Sequence, residues 1–485
     1  LRDGRVTGLA RSLAVLICLM AGHAQAAGML DPERWRQHLE SELLPFWLHP
    51  DALGDPVGLF PSIRCNDGTL VDLKAPCVEV TSMKVLSPGN HLTRAISEQS
   101  FAYGTAFHMT GDMRYLGLAR AGVDQILGPG FDDESGGNFV YFSETSGTWG
   151  PAAGAINLPS QARAMLGPAF YYYLTRDPAL LEAITGVRQT IVAQYRQADG
   201  SYSWLRRDFD GFQGNTGRID GYLEQIASLY VPMIPLLPKA EADLWRAELG
   251  NLVDQLRGRF YSGRHNVFVV DRGQQTGAGL TPPPVDYGRS ARSFRLMLAA
   301  AALLGDGELD AFARENGRKL LGASLQMRQG AWSEIASAGK KGAKRRTSRV
   351  YSEQNELTAM LALADPKLAN ALQRTYAFWF DRFVDPVSGG IYPVILGKRR
   401  KISMARPKHT ASNAGASNFE HALISYLASA ALAGGEAVLY FAGAAPDDAA
   451  DQPFLFSADV TGIEALGNTG VRKVSFTNVR AADPG

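Results

Sequence analysis

Several of the usual guides to a protein's class are scarce or missing. Only three cysteines occur among 485 residues, too few for a small fold held together by disulfides. No CxxC pair, HExxH or EF-hand loop appears, so the sequence carries no metal motif, and no cofactor is expected. Forty-nine Lys and Arg stand against 48 Asp and Glu, a net charge of +1, so no global field points to nucleic acid or an anionic membrane. No stretch approaches twenty uninterrupted apolar residues, and no transmembrane segment is expected. The chain does have 46% hydrophobic and 20% charged residues, which suits a large buried core and excludes a wholly disordered protein.

Arg5 and Arg11 precede an apolar run from Ser12 to Gly22, and Ala24-Gln25-Ala26 gives the small-x-small pattern that signal peptidase cuts. Residues 1–26 therefore read as a signal peptide removed near Ala26, with a mature start at Ala27 and a periplasmic or secreted destination. Cys18 would leave with that segment. Cys65 and Cys77 remain, close in sequence and set among turn residues. In an exported chain they read most simply as one disulfide, with free thiols or metal ligands as the alternatives.

Four marks recur along the sequence: Thr110-Gly111-Asp112, Thr175-Arg176-Asp177-Pro178, Leu304-Gly305-Asp306 and Ala364-Asp365-Pro366. Each ends one apolar helix and caps another. With Pro238 filling the gap, the marks fall about 60 to 67 residues apart, the spacing of a repeated helical hairpin. Arg114 to Leu127, Leu180 to Tyr195, Glu241 to Leu256, Leu309 to Gln326 and Lys367 to Phe383 carry apolar residues at helical spacing. Their partners, Gln99 to Met109, Ser160 to Leu174, Gly221 to Leu236, Ser290 to Leu304, Ser352 to Leu363 and Ala416 to Leu432, are apolar nearly all round and belong inside. Six or seven hairpins predict an all-α (α/α)6 barrel over residues 27–435, an open solenoid being the alternative. Gly-rich aromatic segments at Asp132 to Tyr141, Asp199 to Trp204 and Asp385 to Tyr392 predict short β-hairpins at one mouth. Residues 436–485 read as a small β-rich tail, or as an edge for pairing with a partner protein.

These segments resemble the N-acylglucosamine 2-epimerase superfamily, sugar epimerases and ketose-aldose isomerases built on an (α/α)6 barrel. The resemblance covers roughly Trp35 to Leu432 through Asp132 to Tyr141, Asp286-Tyr287-Gly288-Arg289-Ser290, Ser352 to Glu356, Asp385 to Tyr392 and Phe419 to Leu423. It implies a catalytic histidine after the Asp-Tyr-Gly turn, where this chain has Arg289, and a second near the start of the last inner helix, where it has Ser417 or Asn418. It also implies an arginine on the first inner helix. Phe101 stands near that place, with Arg94 a turn or two earlier.

Proton abstraction beside a carbonyl needs a base near the C–H and a cation or donors for the developing enolate. Tyr287 and Arg289 at an inner-helix entry supply both types, and a salt bridge from Arg289 to Asp286 or to a loop acid is the alternative. Glu353 and Glu356 share one helix face, fit for orienting hydroxyls or acting as acids, or for capping the helix. His409 and His421 complete the catalytic candidates. Trp149, Trp204, Trp332 and Tyr392 offer faces for a sugar ring or for core packing, while His91 and His108 read as packing or surface residues. Lys340 to Arg346 with Arg349, and Lys398 to Lys401 with Arg406, Lys408 and His409, would rim the mouth and attract an anionic saccharide, solvated loops being the alternative.

The expectation is an exported sugar epimerase or isomerase working by metal-independent proton transfer on a mono- or oligosaccharide. The catalytic candidates are Tyr287, Arg289, Glu356, His409 and His421; the binding candidates are Glu353, Trp149, Trp204, Tyr392, Lys408 and Arg349. The alternatives are a lyase or glycoside hydrolase acting on an acidic polysaccharide, and a non-catalytic glycan-binding component of a larger complex.

Overall fold

The aspartates that punctuate the sequence are helix caps. In the computed structural model, which describes residues 30–81, 88–151, 156–206, 217–270, 285–326, 330–333, 335–336, 346–348, 351–396, 401–402, 406–443 and 451–481, the Asp112, Asp177, Asp306 and Asp365 carboxylates each accept a backbone N–H of the helix that follows. Such caps satisfy amides that have no partner inside the helix. Gly111 and Gly305 end the preceding helices at φ 76° and 66°, the left-handed conformation that glycine adopts without strain. The expected signal segment, Arg349 and most of both basic runs lie outside the described residues.

Twelve helices follow among the described residues. α1 is continuous through Pro32–Gln37, a π-helical stretch His38–Leu43 and Leu44–Trp47. α2 is Thr93–Thr110, α3 Met113–Leu127, α4 the pair Leu158–Arg163 and Leu166–Thr175, and α5 Pro178–Tyr195. α6 joins Ile219–Gln225, Ile226–Tyr230 and Val231–Met233; α7 is Lys239–Phe260 and α8 Tyr287–Leu304. α9 is Gly307–Ser324, α10 Tyr351–Ala362, α11 Pro366–Arg382 and α12 Ala416–Leu432.

The even-numbered helices form the inner ring, each packed on the next, and α12 returns to α2, so the barrel closes. Their burial is nearly continuous: every residue of α2 from Ala95 to Met109 is buried. Outer helices bury one stripe, as α3 does with Tyr115, Leu116, Ala119, Val123 and Ile126. Each large apolar side chain in such a stripe contributes about 1.5–3 kcal/mol. Five pairs are consecutive hairpins, and the sixth joins the two ends of the chain, α12 with α1. The expected hairpin series did not include α1, although its Asp31-Pro32 start repeats the signal that opens α5 and α11.

Short antiparallel ribbons lie beside the inner-helix starts, including Phe131–Asp132 with Gly137–Asn138 and Val285–Asp286 with Ile335–Ala336. The segments from Asp199 and Asp385, expected as hairpins, come down to single bridges, Arg196 with Tyr202 and Val384 with Ile391. Beyond α12 the chain forms β1 (Ala437–Ala442), β2 (Phe456–Ala465) and β3 (Val471–Ala481), an antiparallel sheet in the order β1-β3-β2. Its β1 strand packs on α2, α4 and α12. Phe454, just before β2, lies against Phe101, Phe170 and Tyr173. The (α/α)6 barrel with a C-terminal β appendage is therefore the architecture expected from the sequence.

Candidate active site

All six inner helices begin at one end of the barrel, and there they enclose a cavity of about 380 Å³. Its lining alternates charge: Arg94, Arg163, Arg289 and Arg292 against Glu98, Asp220, Glu224, Asp286, Glu353 and Glu420. Converging helix N-termini favour carboxylates in the first turns, and the arginines then compensate charges that would be costly to bury alone.

The pairs join one inner helix to the next. Arg163 of α4 reaches Glu98 of α2 at 3.1 Å and Glu224 of α6 at 3.3 Å. Arg292 of α8 donates twice to Glu224, at 2.8 and 3.0 Å. Arg289 reaches Asp220 at 3.2 Å and Asp286 at 2.9 Å. Below them Arg295, fully buried, holds Glu353 and Glu356 of α10 at 3.1 Å and Glu420 of α12 at 3.0 Å. The Ala414 backbone N–H donates to Glu98 at 2.9 Å, tying the loop before α12 into the same lattice.

Burial raises a carboxyl's pKa, yet Glu98 and Glu224 lie below the ordinary glutamate value because adjacent guanidinia outweigh burial, Arg163 and Arg94 at the first and Arg292 and Arg163 at the second. Both are firmly ionised acceptors. Glu356 moves the other way: burial pushes it well up, Arg295 opposes this, and Glu353 and Glu420 reinforce it. Fixed donors and acceptors around a polar cavity suit a ligand rich in hydroxyls. No histidine and no group of metal-ligating side chains lines the cavity among the described residues.

No family model matches the chain, and no curated protein matches it in sequence. Solved structures do match. A sugar epimerase from a ruminal bacterium aligns at 18% identity and TM-score 0.65 over 82% of this chain and 98% of its own. The cellobiose 2-epimerase of Bacillus thermoamylovorans aligns at 15% and 0.66 over 81% and 98%, and a D-mannose isomerase at 13% and 0.61 over 83% and 98%. The chain shares the (α/α)6 barrel fold of these structures. At these identities the likeness establishes the fold.

Of the residues singled out from the sequence, Arg289, Glu353 and Trp204 line this cavity. The Trp204 ring carries the Arg218 guanidinium 4.7 Å from its centre. Arg289 makes the salt bridge to Asp286 that was its alternative role, and also stays in the lining. Glu356 lies beneath the lining, and Tyr287 packs against the core at the start of α8.

The rest lie elsewhere. His421 is fully buried among Trp35, Tyr376 and Trp379; burial, with His38 and Arg295 nearby, holds it well below the usual histidine value. His409 accepts from Arg64 at 3.0 Å under the Trp47 ring and is lowered by burial and by Arg64. Lys408, expected at the rim, is instead buried, paired to Asp385 and donating to the Gly389 carbonyl at 2.7 Å. Tyr392 stacks beside Lys408 and is pushed up to about 12 by burial and by Asp385. Trp149 packs on Phe142, and the Trp332 indole donates to Asn355 at 2.7 Å. His91 bonds Glu144 and the Phe60 carbonyl, and His108 the Tyr440 carbonyl.

Cys65 and Cys77 form a disulfide. Of the two basic runs only the ends are described: Arg346–Ser348 and Lys401–Ile402 pair with opposite edges of Val394–Leu396 in one antiparallel sheet.

Arg94, Glu98, Arg163, Asp220, Glu224, Arg292, Arg295 and Glu420 were not anticipated as a site. Arg94 stands on the first inner helix and lines the cavity, while Phe101, nearer the expected place, is core. The available signal was a charge within the first few turns of each otherwise apolar helix, an arrangement that is stable only if those charges meet partners.

Proposed function

We propose that the protein is a sugar epimerase or isomerase in which a cavity carboxylate, rather than a histidine, moves the proton. The observation that carries this reading is the lattice of arginines and carboxylates at the inner-helix starts. Its carboxylates accept from sugar hydroxyls, and its arginines stand where an oxygen gains charge as the neighbouring C–H is broken. Glu353, in the lining and clamped by Arg295, is assigned as the base, with Arg289 and Arg292 as the oxygen's counter-charges. Trp204 supplies an apolar face for the ring. The barrel fold shared with the solved sugar epimerases supports the substrate class.

Six lining carboxylates face four lining arginines, all of them engaged by those acids. A uronate would have to displace one of these pairs, so the reading favours a neutral saccharide. The test is incubation of the protein with neutral and acidic saccharides in deuterated water. Solvent deuterium should enter a ring carbon of a neutral sugar and not of a uronate. Label-free release of new reducing ends would replace the reading with hydrolysis, new unsaturated ends with lyase action, and saturable binding without turnover with a glycan-binding role.

A further inference from the structure

Beneath the cavity floor one guanidinium serves three carboxyl groups. Arg295 Nη2 lies 3.1 Å from Glu353 and 3.1 Å from Glu356, and Nη1 lies 3.0 Å from Glu420. Arg292 is the next cation, 3.7 Å from Glu353, and it already pairs doubly with Glu224. The three carboxyls differ in surroundings. Glu353 and Glu420 line the cavity; Glu356 is 1% exposed, and among the described residues neither of its oxygens has a hydrogen-bond partner. Facing it from the other elements are His421 of α12, its Nδ1 4.0 Å away, and Tyr376 of α11. That histidine is held neutral by burial, so it adds no cation. A buried carboxylate without a hydrogen-bond partner among the described residues, sharing its nearest cation with two other acids, is the most expensive place in the cluster for a negative charge and the least expensive place for a proton.

We propose that Glu356 is the proton store of the cavity, holding a proton at neutral pH and exchanging it with Glu353 through their shared seat on Arg295. The proposal rests on the proton-transfer reading of the cavity. In the exchange the O–H bond of Glu356 breaks and one forms on Glu353, the negative charge passes the other way, and nothing else is consumed. Glu353 faces the sugar as acid or base; Glu356 acts through it and is a positioning residue. Burial drives Glu356 upward and its two acidic neighbours add to the shift, in keeping with that role.

The test needs no saccharide. Infrared spectra of the protein carrying carboxyl-13C glutamate should show, at pH 7, a neutral-acid carbonyl band that moves with the label. The band should vanish in Glu356→Gln, and in Glu353→Gln it should persist but titrate at lower pH, because one of the charges raising Glu356 is gone. A wild-type protein without the band, a band surviving Glu356→Gln, or an unmoved midpoint in Glu353→Gln would each overturn the proposal. The pH profile of deuterium entry should also shift in Glu356→Gln while KM holds. Failure of deuterium entry in all variants, with the infrared pattern intact, would instead remove the epimerase reading and leave the stored proton standing.

Discussion

The two ends of the barrel are built on opposite principles from the same six helices. At the end where the inner helices start, arginines and carboxylates link neighbouring helices around a cavity of about 380 Å³. At the end where they finish, β1 and the segment around Phe454 pack across α2 and α4 with aromatic rings. A smaller hollow of about 260 Å³ remains there, lined by Val231, Leu303, Phe454 and other mostly apolar groups. One end is held by charge pairs that leave polar atoms turned to solvent, and the other by burial that excludes solvent. The proposed site lies where stability is electrically conditional; at the far end aromatic packing dominates, with one buried ion pair, Arg472 with Asp451, beside it.

The largest expected effect is at the open end. Arg295→Met removes the shared counter-charge of Glu353 and Glu420, and breaking a buried pair by deleting one partner costs about 3–5 kcal/mol. Chemical denaturation should show that loss, and deuterium entry should disappear with it. A variant that keeps both would show that the lattice is ornament to a site elsewhere. Next comes Phe454→Ala at the sealed end, where a buried aromatic side chain is deleted for about 3 kcal/mol. Here the saccharide chemistry should survive below the lowered melting point. If activity fell as far as stability, the two ends would be coupled and the contrast between them would fail.

Sequence reasoning reached the sealed architecture more readily than the open one. Helices and their ends were legible because capping is local: Asp177 before Pro178, or Gly305 before Asp306, declares a boundary within a few residues. The barrel followed from the repeat. The lattice was not legible, since Arg163 and Glu224 are 61 positions apart and only the closed ring makes them neighbours. His421 and Lys408 misled for the matching reason. A histidine beside a glutamate, or a lysine in a basic run, reads as available chemistry, whereas the packing of Trp35 and Trp379 about the one and of Asp385 about the other removes both from solvent.

Acid and alkali should separate the ends. His108, bonded to the Tyr440 carbonyl at the sealed end, is lowered to about 4 by burial. It is neutral when folded, so its contribution is intact above the ordinary value of 6.5 and declines as pH falls from there toward 4, by roughly 1–3 kcal/mol. Glu356 has the reverse sign. Its folded value is raised, so its contribution is full below the ordinary 4.5 and is lost as pH climbs toward the raised value. Melting curves against pH should therefore find His108→Gln less sensitive to acid than wild type, and Glu356→Gln less sensitive to alkali. Identical pH slopes for wild type and Glu356→Gln would mean that the cavity floor ionises freely.

The smallest expected effect is on β2, beyond the sealed contacts. Asp459 accepts from Asn478 at 2.8 Å and pairs with Arg480 at 3.2 Å, with both charged side chains more than half exposed. These are the same chemical groups as in the mouth, arginine with carboxylate at similar distances. Water already solvates each of them, so forming the pair gains little, whereas Glu224 and Arg292 have given up most of that hydration. Asp459→Asn should leave the melting temperature and deuterium entry unchanged within error. A clear loss in either would show that the appendage works through its exposed edge as well as through Phe454, and that the division between a functional mouth and a sealed end is incomplete.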